Sequence, residues 1–398
     1  MEVYLVGGAV RDKLLDVPVA ERDWVVVGAT IAQMEAAGYR RLDRTFPVFA
    51  HPQTGEEYAL ARREVKVAPG HKGFQLYAGP DVTLEEDLRR RDLTINAMAE
   101  AEDGTLIDPF GGREDLDSGV LRHVSPAFVE DPLRVFRVAR FAARFGRWGF
   151  RVAHRTHALM KRIADSGELE ALAAERVWQE TKRALAEDHP VRYFEVLHRC
   201  GALTRFIPEL ERMLGPSASH HRRVEQLNSG LWAALEVAGK LSPDPEVRYA
   251  ALMGQLGLAS SAKSEMTREV IRQVSRRLRV EVRYSDLALM VGDHYAFFEA
   301  AADSQTHMLL AGLEALDALR RELRFKRYIV ACQAIAMAEG WDPGAACQRL
   351  EAVWTAVQTV NAKVLVEKGL TGDELGNELR KLRLQAIDAA VGLGHGDS

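Results

Sequence analysis

The sequence predicts an α+β chain, with a mixed α/β head followed by an all-α neck, body and tail. Short β-branched runs (VYLV, WVVV, EYALA) alternate with helical pieces up to about residue 112. Beyond about Pro208 nearly everything has helical spacing, broken by loops at Gly215-Pro216, Ser242-Pro243 and Asp342-Pro343. The chain of 398 residues is long enough for two or three domains with cores of their own. The expected divisions are a head over 1–125, a helical neck over 126–212, and a helical body and tail over 213–398.

In the head, Tyr4 to Val6 reads as a strand, Gly7-Gly8 breaks it, and Ala9 to Leu15 has helical spacing. Glycines let backbone N–H groups approach an anion, so the turn is a candidate phosphate cradle around Gly8, with Arg11 as a mobile positive charge beside it. A second strand, Arg22 to Val27, has Glu21 and Asp23 at its start. Residues two apart on a strand point the same way, so the two carboxylates converge where they could hold Mg²⁺. Ile31 to Ala37 reads as a helix stopped by Gly38, and Thr45–Phe49 and Glu56–Ala61 as strands joined by an HPQTGE turn. Arg62 to Gly79 has the charge and glycine content of a mobile loop or a surface hairpin. Leu84 to Ala99 reads as one helix, and Asp108 to Gly112 as the turn that closes the head.

The spacing then predicts a helix over Glu130 to Phe145, with acidic residues and Pro132 at its start. Arg134, Arg137, Arg140, Arg144 and Arg147 would share one face of it. Such a face suits either a structural basic helix or an anion site. Farther on, Arg276-Arg277-Arg279 and Arg320 to Arg327 form two more basic clusters, either solvated or touching RNA. The adjacent His220 and His221 would point apart and are expected at the surface. Thr371 looks like the cap of a last helix running to about Val391, with a frayed GLGHGDS tail.

With 53 basic and 57 acidic residues the net charge is −4, which taken alone argues against nucleic-acid binding. The balance is uneven, however. Between Asp131 and Asp165 stand nine Lys or Arg against two Asp, a local charge of +7. The three cysteines show no C-x-x-C spacing, which fits a reducing compartment. No basic leader and no run of eighteen apolar residues is seen. A cytoplasmic protein is expected, with no membrane association and no obligate protein partner.

LVGGAVRD followed by RDWVVVG resembles the head signature of the bacterial CCA-adding enzymes. These are class II tRNA nucleotidyltransferases, of the tRNA nucleotidyltransferase/poly(A) polymerase family, and they build the 3′ CCA end. RRD-x-T-x-N-A at Arg90 to Ala97 and ED-x-x-R-x-x-R-x-x-RF at Glu130 to Phe141 are similar to two further motifs of that family. ERVWQE at Glu175 to Glu180 looks like the helix that buttresses the second, with Trp178 in the core. The resemblance implies addition of C, C and A to tRNA from CTP and ATP. Glu21 and Asp23 would be the catalytic Mg²⁺ ligands. Gly8, Arg11 and Arg91 would hold the triphosphate. Asp131 and Arg134 would select the base, with Arg137 and Arg140 completing the pocket. Asp92 and Asn96 would hold the head together by hydrogen bonds.

The family has Asp-x-Asp for its metals, whereas Glu21 occupies the first position here. Glu keeps the charge and the oxygen donors and adds a methylene. The alternatives implied by the same family are a CC-only or A-only enzyme, a poly(A) polymerase, or a tRNA-binding protein whose catalysis has decayed. The Arg62–Gly79 loop, which in the family is needed for the final A, is undeleted and argues against the CC-only form. No GRRF-like segment of the polymerases follows the second strand. In many relatives the body is a metal-dependent phosphohydrolase marked by a His-Asp pair. Gly254 and Gln255 stand at that position here, in RYAALMGQLGLA. Without imidazole and carboxylate ligands such a site cannot hold its metal. The body is therefore predicted to have no phosphatase or 2′,3′-cyclic phosphodiesterase activity with any divalent cation; metal-stimulated phosphate release by purified protein would overturn this.

Overall fold

A computed structural model describes residues 1–43, 46–66, 74–214, 231–258 and 264–392. The chain divides into two units, Met1–Phe206 and Ile207–Ser398. The first opens with β1 (Glu2–Val6), α1 (Gly8–Leu14), β2 (Asp23–Val27), α2 (Ile31–Ala36), β3 (Arg40–Arg41), β4 (Val48–Ala50) and β5 (Glu57–Leu60). A hairpin of β6 (Arg63–Lys66) and β7 (Phe74–Tyr77) follows, then α3 (Leu84–Arg89), β8 (Ala99–Glu100) and β9 (Leu106–Ile107). The main sheet runs in the order β3-β4-β5-β2-β1-β8-β9. Val25 packs with Val6 and Leu88 on one face, while Val26 packs with Met34, Phe49 and Leu60 on the other. Burial on both faces explains the unbroken apolar run that follows Asp23 in β2.

Two expected helices are shorter than their apolar spacing suggested. The one expected over Leu84 to Ala99 ends at Arg89, and Thr94–Asn96 forms a separate 3₁₀ turn before β8. Asp92 is the cause: its Oδ1 accepts from Leu93 N at 2.8 Å and from Asn96 Nδ2 at 3.0 Å, bonds that compete with a helical backbone. The helix expected from Glu130 begins only at Arg134, as α5 (Arg134–Arg144), because Asp131 is extended at φ −120° and ψ 102°. Asp131 precedes Pro132, whose ring disfavours the α conformation there. Thr45 lies outside the described residues, and the strand expected there begins at Val48.

After the head come α4 (Gly112–Asp117) and β10 (Val120–Leu121), which pairs in parallel with β11 (Arg151–Val152). Asp108 closes the turn as expected, accepting from Gly112 N at 2.7 Å and Arg113 N at 2.8 Å. The unit ends with α6 (His154–Ser166), α7 (Ala174–Ala186), α8 (Val191–Arg199) and α9 (Ala202–Phe206). α5 packs against α7 and α8. Trp178 is buried, as expected.

The second unit is helical throughout its described residues. It comprises α10 (Pro208–Met213), α11 (Leu231–Leu241), α12 (Pro245–Leu258), α13 (Ser264–Arg277), α14 (Val282–Ala300) and α15 (Thr306–Ala315). α16 (Glu322–Glu339), α17 (Gly344–Gln358), α18 (Ala362–Glu367) and α19 (Gly372–Gly392) complete it. Gly254 sits where α12 meets α14, and a Cβ there would lie 2.5 Å from Val291 Cγ1. Gln255 is buried and donates from Nε2 to Leu231 O at 3.2 Å and Ala251 O at 3.0 Å. Both positions serve helix packing.

The basic clusters of this unit are largely paired with carboxylates. Arg276 meets Glu269 at 2.6 Å, Arg277 reaches both oxygens of Glu209, and Arg327 bridges Asp244 and Glu246. His220, His221 and the GLGHGDS tail from residue 393 lie outside the described residues. Among the described residues no helix is long and apolar enough to cross a membrane.

Candidate functional site

Pairing of β1 with β2 places Asp23 opposite Val6, at the mouth of the Gly7-Gly8 turn. Gly7 has φ +70°, and a Cβ on it would lie 2.7 Å from Arg91 Nη1. Only glycine therefore lets the Arg91 guanidinium lie over the turn. Arg91 is held there by Asp87 Oδ2 at 3.2 Å and by Asn96 O at 3.4 Å. Beside this corner opens a cleft of about 920 Å³ within the first unit. Gly8, Arg11, Glu21, Asp23, Arg91, Asp131, Arg134, Arg137 and Arg140 all line it.

Glu21 and Asp23 are exposed carboxylates on the cleft wall. Partial desolvation at the cleft wall raises the Asp23 pKa and Glu21 raises it further, while the Arg91 charge opposes both. A like-charged pair of oxygen donors suits a hard divalent cation, and Mg²⁺ commonly binds through one or two carboxylates plus substrate phosphates. Among the described residues no three His, Cys, Asp or Glu side chains form a ready-made metal cluster. Glu57, which pairs with Asp23 across β2 and β5, puts a further carboxylate of the cleft lining beside this pair. It was not singled out from the sequence, although parallel pairing of its strand with β2 puts it in register.

Arg11 is not the mobile charge the sequence suggested. It is 3% exposed. Its Nε and Nη2 donate to Asp12 Oδ1 at 2.9 and 2.7 Å, its Nη1 donates to Asn96 Oδ1, and its guanidinium lies over the Phe141 and Phe145 rings. Burial lowers its pKa against the opposing charge of Asp12. From Arg11 a chain of polar contacts crosses the unit. Asp12 Oδ2 receives Arg144 Nη2 at 2.9 Å, and Asn96 passes from Arg11 to Asp92. Asp92 Oδ2 receives Arg137 Nε at 2.7 Å. Arg137 continues to Glu180 at 3.9 Å, which takes Arg140 Nε at 2.6 Å. α5 thus presents Arg137, Arg140 and Arg144 to the cleft. Arg147 leaves that face because α5 ends at Arg144, and it stacks on Trp148 in a 3₁₀ turn at 3.8 Å.

Asp131 and Arg134 both reach the cleft, though not as helix neighbours, since Asp131 precedes α5. Asp131 Oδ1 accepts from Leu133 N at 3.1 Å and Oδ2 from Arg176 Nη2 at 3.2 Å. Arg134 is buried and donates from Nη1 to Ala127 O at 2.7 Å and from Nη2 to Arg90 O at 2.6 Å. Arg176, second in the ERVWQE helix, is a further cleft residue that spacing alone did not identify.

Residues 3–122 match the model of the poly A polymerase head domain, and residues 149–214 that of the probable RNA and SrmB-binding site of polymerase A. The chain is 48% identical to the multifunctional CCA protein of Thioalkalivibrio sulfidiphilus, over 97% of this chain and 98% of that protein. The chain belongs to the CCA-adding enzyme family. Another member, named CCA-adding enzyme in Pseudomonas putida, is 47% identical over 98% of this chain and 99% of its own length. The fold also matches solved CCA-adding enzymes. One is the Bacillus stearothermophilus CCA-adding enzyme in complex with CTP, at 23% identity and a TM-score of 0.66 over 97% of this chain and 89% of that one. Another is the Thermotoga maritima CCA-adding enzyme complexed with tRNA, at 22% identity and a TM-score of 0.62 over 98% and 91%.

The Asp92 carboxylate joins the head of this CCA-adding family member to α5. Its burial would raise the pKa, but the Arg137 charge and the bonds from Asn96, Arg137 and Leu93 N outweigh burial and hold it at about 2, against 3.8 ordinarily. A depressed carboxylate stabilises the fold above its unfolded pKa, and that contribution disappears as pH falls through the folded value. Asp92→Asn is therefore expected to cost about 2 kcal/mol at neutral pH, with the deficit shrinking between about pH 5 and pH 2. Urea unfolding across that range checks it; a deficit independent of pH would show that the charge of Asp92 is not what stabilises.

Proposed function

We propose that this protein adds C, C and A to the 3′ end of tRNA, and repairs that end, without a template. It would use CTP and ATP and release pyrophosphate. One cleft carries the reading: it gathers two carboxylates, a Gly-Gly turn and arginines from α5, in a chain nearly half identical, end to end, to proteins named for CCA addition. Solved relatives at lower identity have been captured with CTP, ATP and tRNA.

In the proposed reaction the terminal 3′ hydroxyl oxygen attacks the α-phosphorus and the α–β bridging bond breaks. The hydroxyl proton is lost to solvent as pyrophosphate departs. Glu21 and Asp23 would hold Mg²⁺, which when bound activates such a hydroxyl and stabilises the departing pyrophosphate. Gly8 lets the phosphates approach the backbone, and Arg91 lies over the turn to meet their charge. Arg11, being fixed, contributes as a buried positive charge behind them. Arg137 and Arg140 line the remaining wall, oriented by Asp92 and Glu180.

Base choice is assigned to Asp131 and Arg134. Cytosine and adenine each present an amino donor beside a ring-nitrogen acceptor, whereas uracil and guanine present a carbonyl acceptor beside an N–H donor. A carboxylate accepts and a guanidinium donates, so the pair suits C and A and opposes U and G. The bonds to Ala127 O and Arg90 O fix the Arg134 fork and leave it further donors; Asp131 likewise keeps free lone pairs. Two mismatched buried polar contacts give roughly 10² to 10⁴ in discrimination.

Incubation with tRNA lacking CCA, labelled CTP and ATP, and sizing of the product tests the whole reading. Three added nucleotides are expected. Two, one, or a ladder of A would instead identify a CC-only enzyme, an A-only enzyme or a polymerase. In the same assay Glu21→Ala and Asp23→Ala should abolish addition while tRNA binding survives, and Glu21→Asp should keep or raise it; full activity of Glu21→Ala would remove the metal assignment. Asp131→Asn should lose the preference for CTP and ATP over UTP and GTP. A uniform fall in rate with preference unchanged would leave Asp131 only its bonds to Leu133 N and Arg176.

A further inference from the structure

In LEEDLRRRD an acidic residue, Asp87, stands three and four positions before Arg90 and Arg91, the spacing that brings side chains together on a helix. On a solvated helix face such pairs contribute little. Asp87 of α3, however, is completely buried. A capping box between Thr83 and Glu86 fixes the start of α3, and Leu88 packs it into the core beside Val6 and Val25. Asp87 does not itself line the cleft, whereas Arg62, Arg90 and Arg91 do.

The two oxygens of Asp87 serve different parts of the site. Oδ1 accepts from Arg90 Nη2 at 2.7 Å, from Arg90 Nε at 3.1 Å and from Arg62 N, just beyond β5, at 3.3 Å. Oδ2 accepts from Arg91 Nη2 at 3.2 Å, a bond that helps to hold that guanidinium over the Gly7 turn. Burial by itself would raise the Asp87 pKa, but the Arg90 and Arg91 charges and the bond from Arg90 outweigh it and hold the carboxylate below its ordinary value. Arg90 also ends α3, and its carbonyl accepts from Arg134 Nη2 at 2.6 Å. With its side chain folded back on Asp87, Arg90 is restrained at both ends, and the carbonyl that steadies Arg134 is restrained with it.

We propose that Asp87 is a positioning residue that sets the spacing between the phosphate and base subsites: it holds Arg91 directly and Arg134 through the Arg90 carbonyl. This rests on the nucleotide reading above and deepens it. Base choice by hydrogen bonds requires the base edge to meet Asp131 and Arg134 in register while the triphosphate is anchored at the Gly-Gly turn. A shift of about 1 Å between the two anchors is enough to lose an alignment worth on the order of a hundredfold. A buried carboxylate behind both arginines keeps that span, because entering substrate does not displace it.

The test is binding of inorganic tripolyphosphate, CTP and UTP to the full chain with Mg²⁺ present, with folding followed by melting temperature. Tripolyphosphate has no base and reports on the phosphate anchor alone. In Asp87→Asn its affinity should fall by about tenfold or more, and the preference for CTP over UTP should fall by a similar factor. Arg90→Gln leaves Asp87 and Arg91 paired; it should keep tripolyphosphate affinity and lose the preference, and it carries the test if Asp87→Asn does not fold. Arg89→Gln, at an exposed neighbour paired with Glu85, should leave both unchanged. A wild-type preference in folded Asp87→Asn or in Arg90→Gln, or an equal loss in Arg89→Gln, would overturn the proposal. So would wild-type tripolyphosphate affinity in Asp87→Asn with only the melting temperature lowered, which would leave Asp87 a structural role. Failure of the wild type to extend tRNA would count against the catalytic reading, while these affinities would still decide the role of Asp87.

Discussion

The first unit depends on a carboxylate that cannot be left alone. Asp92 is buried, and an unpaired charge in that place would cost several kcal/mol, so Arg137, Asn96 and the Leu93 N–H surround it. Those partners bring three segments together. Asn96 belongs to the head and also receives Arg11 from α1; Arg137 belongs to α5 and reaches Glu180 on α7. The cleft arginines are thus held by the same bonds that join the elements carrying them. A positive wall built this way keeps its shape before any anion arrives, which is the condition under which electrostatic stabilisation is most effective.

The head and its cleft were legible in the sequence because their signals are local. A strand, two glycines and a carboxylate pair two residues apart fix their own geometry, and the structure puts them in one corner. What did not show was set by contacts distant in sequence. Arg11 read as mobile because no neighbour revealed that Phe141 and Phe145 would close over it. Glu57 reads as an ordinary strand residue until β5 pairs with β2. The two overlong helices have a different cause: Asp92 takes the Leu93 N–H that a helix would use, and Pro132 disfavours helical geometry at Asp131. Apolar periodicity is blind to both.

Composition was a weaker guide than the pairing of charges. Its basic clusters looked alike in sequence: those of the second unit are largely neutralised by Glu209, Asp244, Glu246 and Glu269, whereas Arg91, Arg137 and Arg140 keep carboxylate partners and still line the cleft. The positions of carboxylates, more than the number of arginines, distinguish a cation holding the fold together from one presented to another molecule.

Gly254 bears on how freely this chain could change. Its missing side chain leaves space that Val291 occupies, and Gln255 is a donor to two carbonyls. A histidine at 254 would collide with Val291, and an aspartate at 255 would set a carboxylate against those carbonyl oxygens. Each of these single substitutions is disfavoured until its neighbours have moved. The packing of α12 on α14 thus ties the two positions to their present residues, so that a change at either has to be matched by its neighbours.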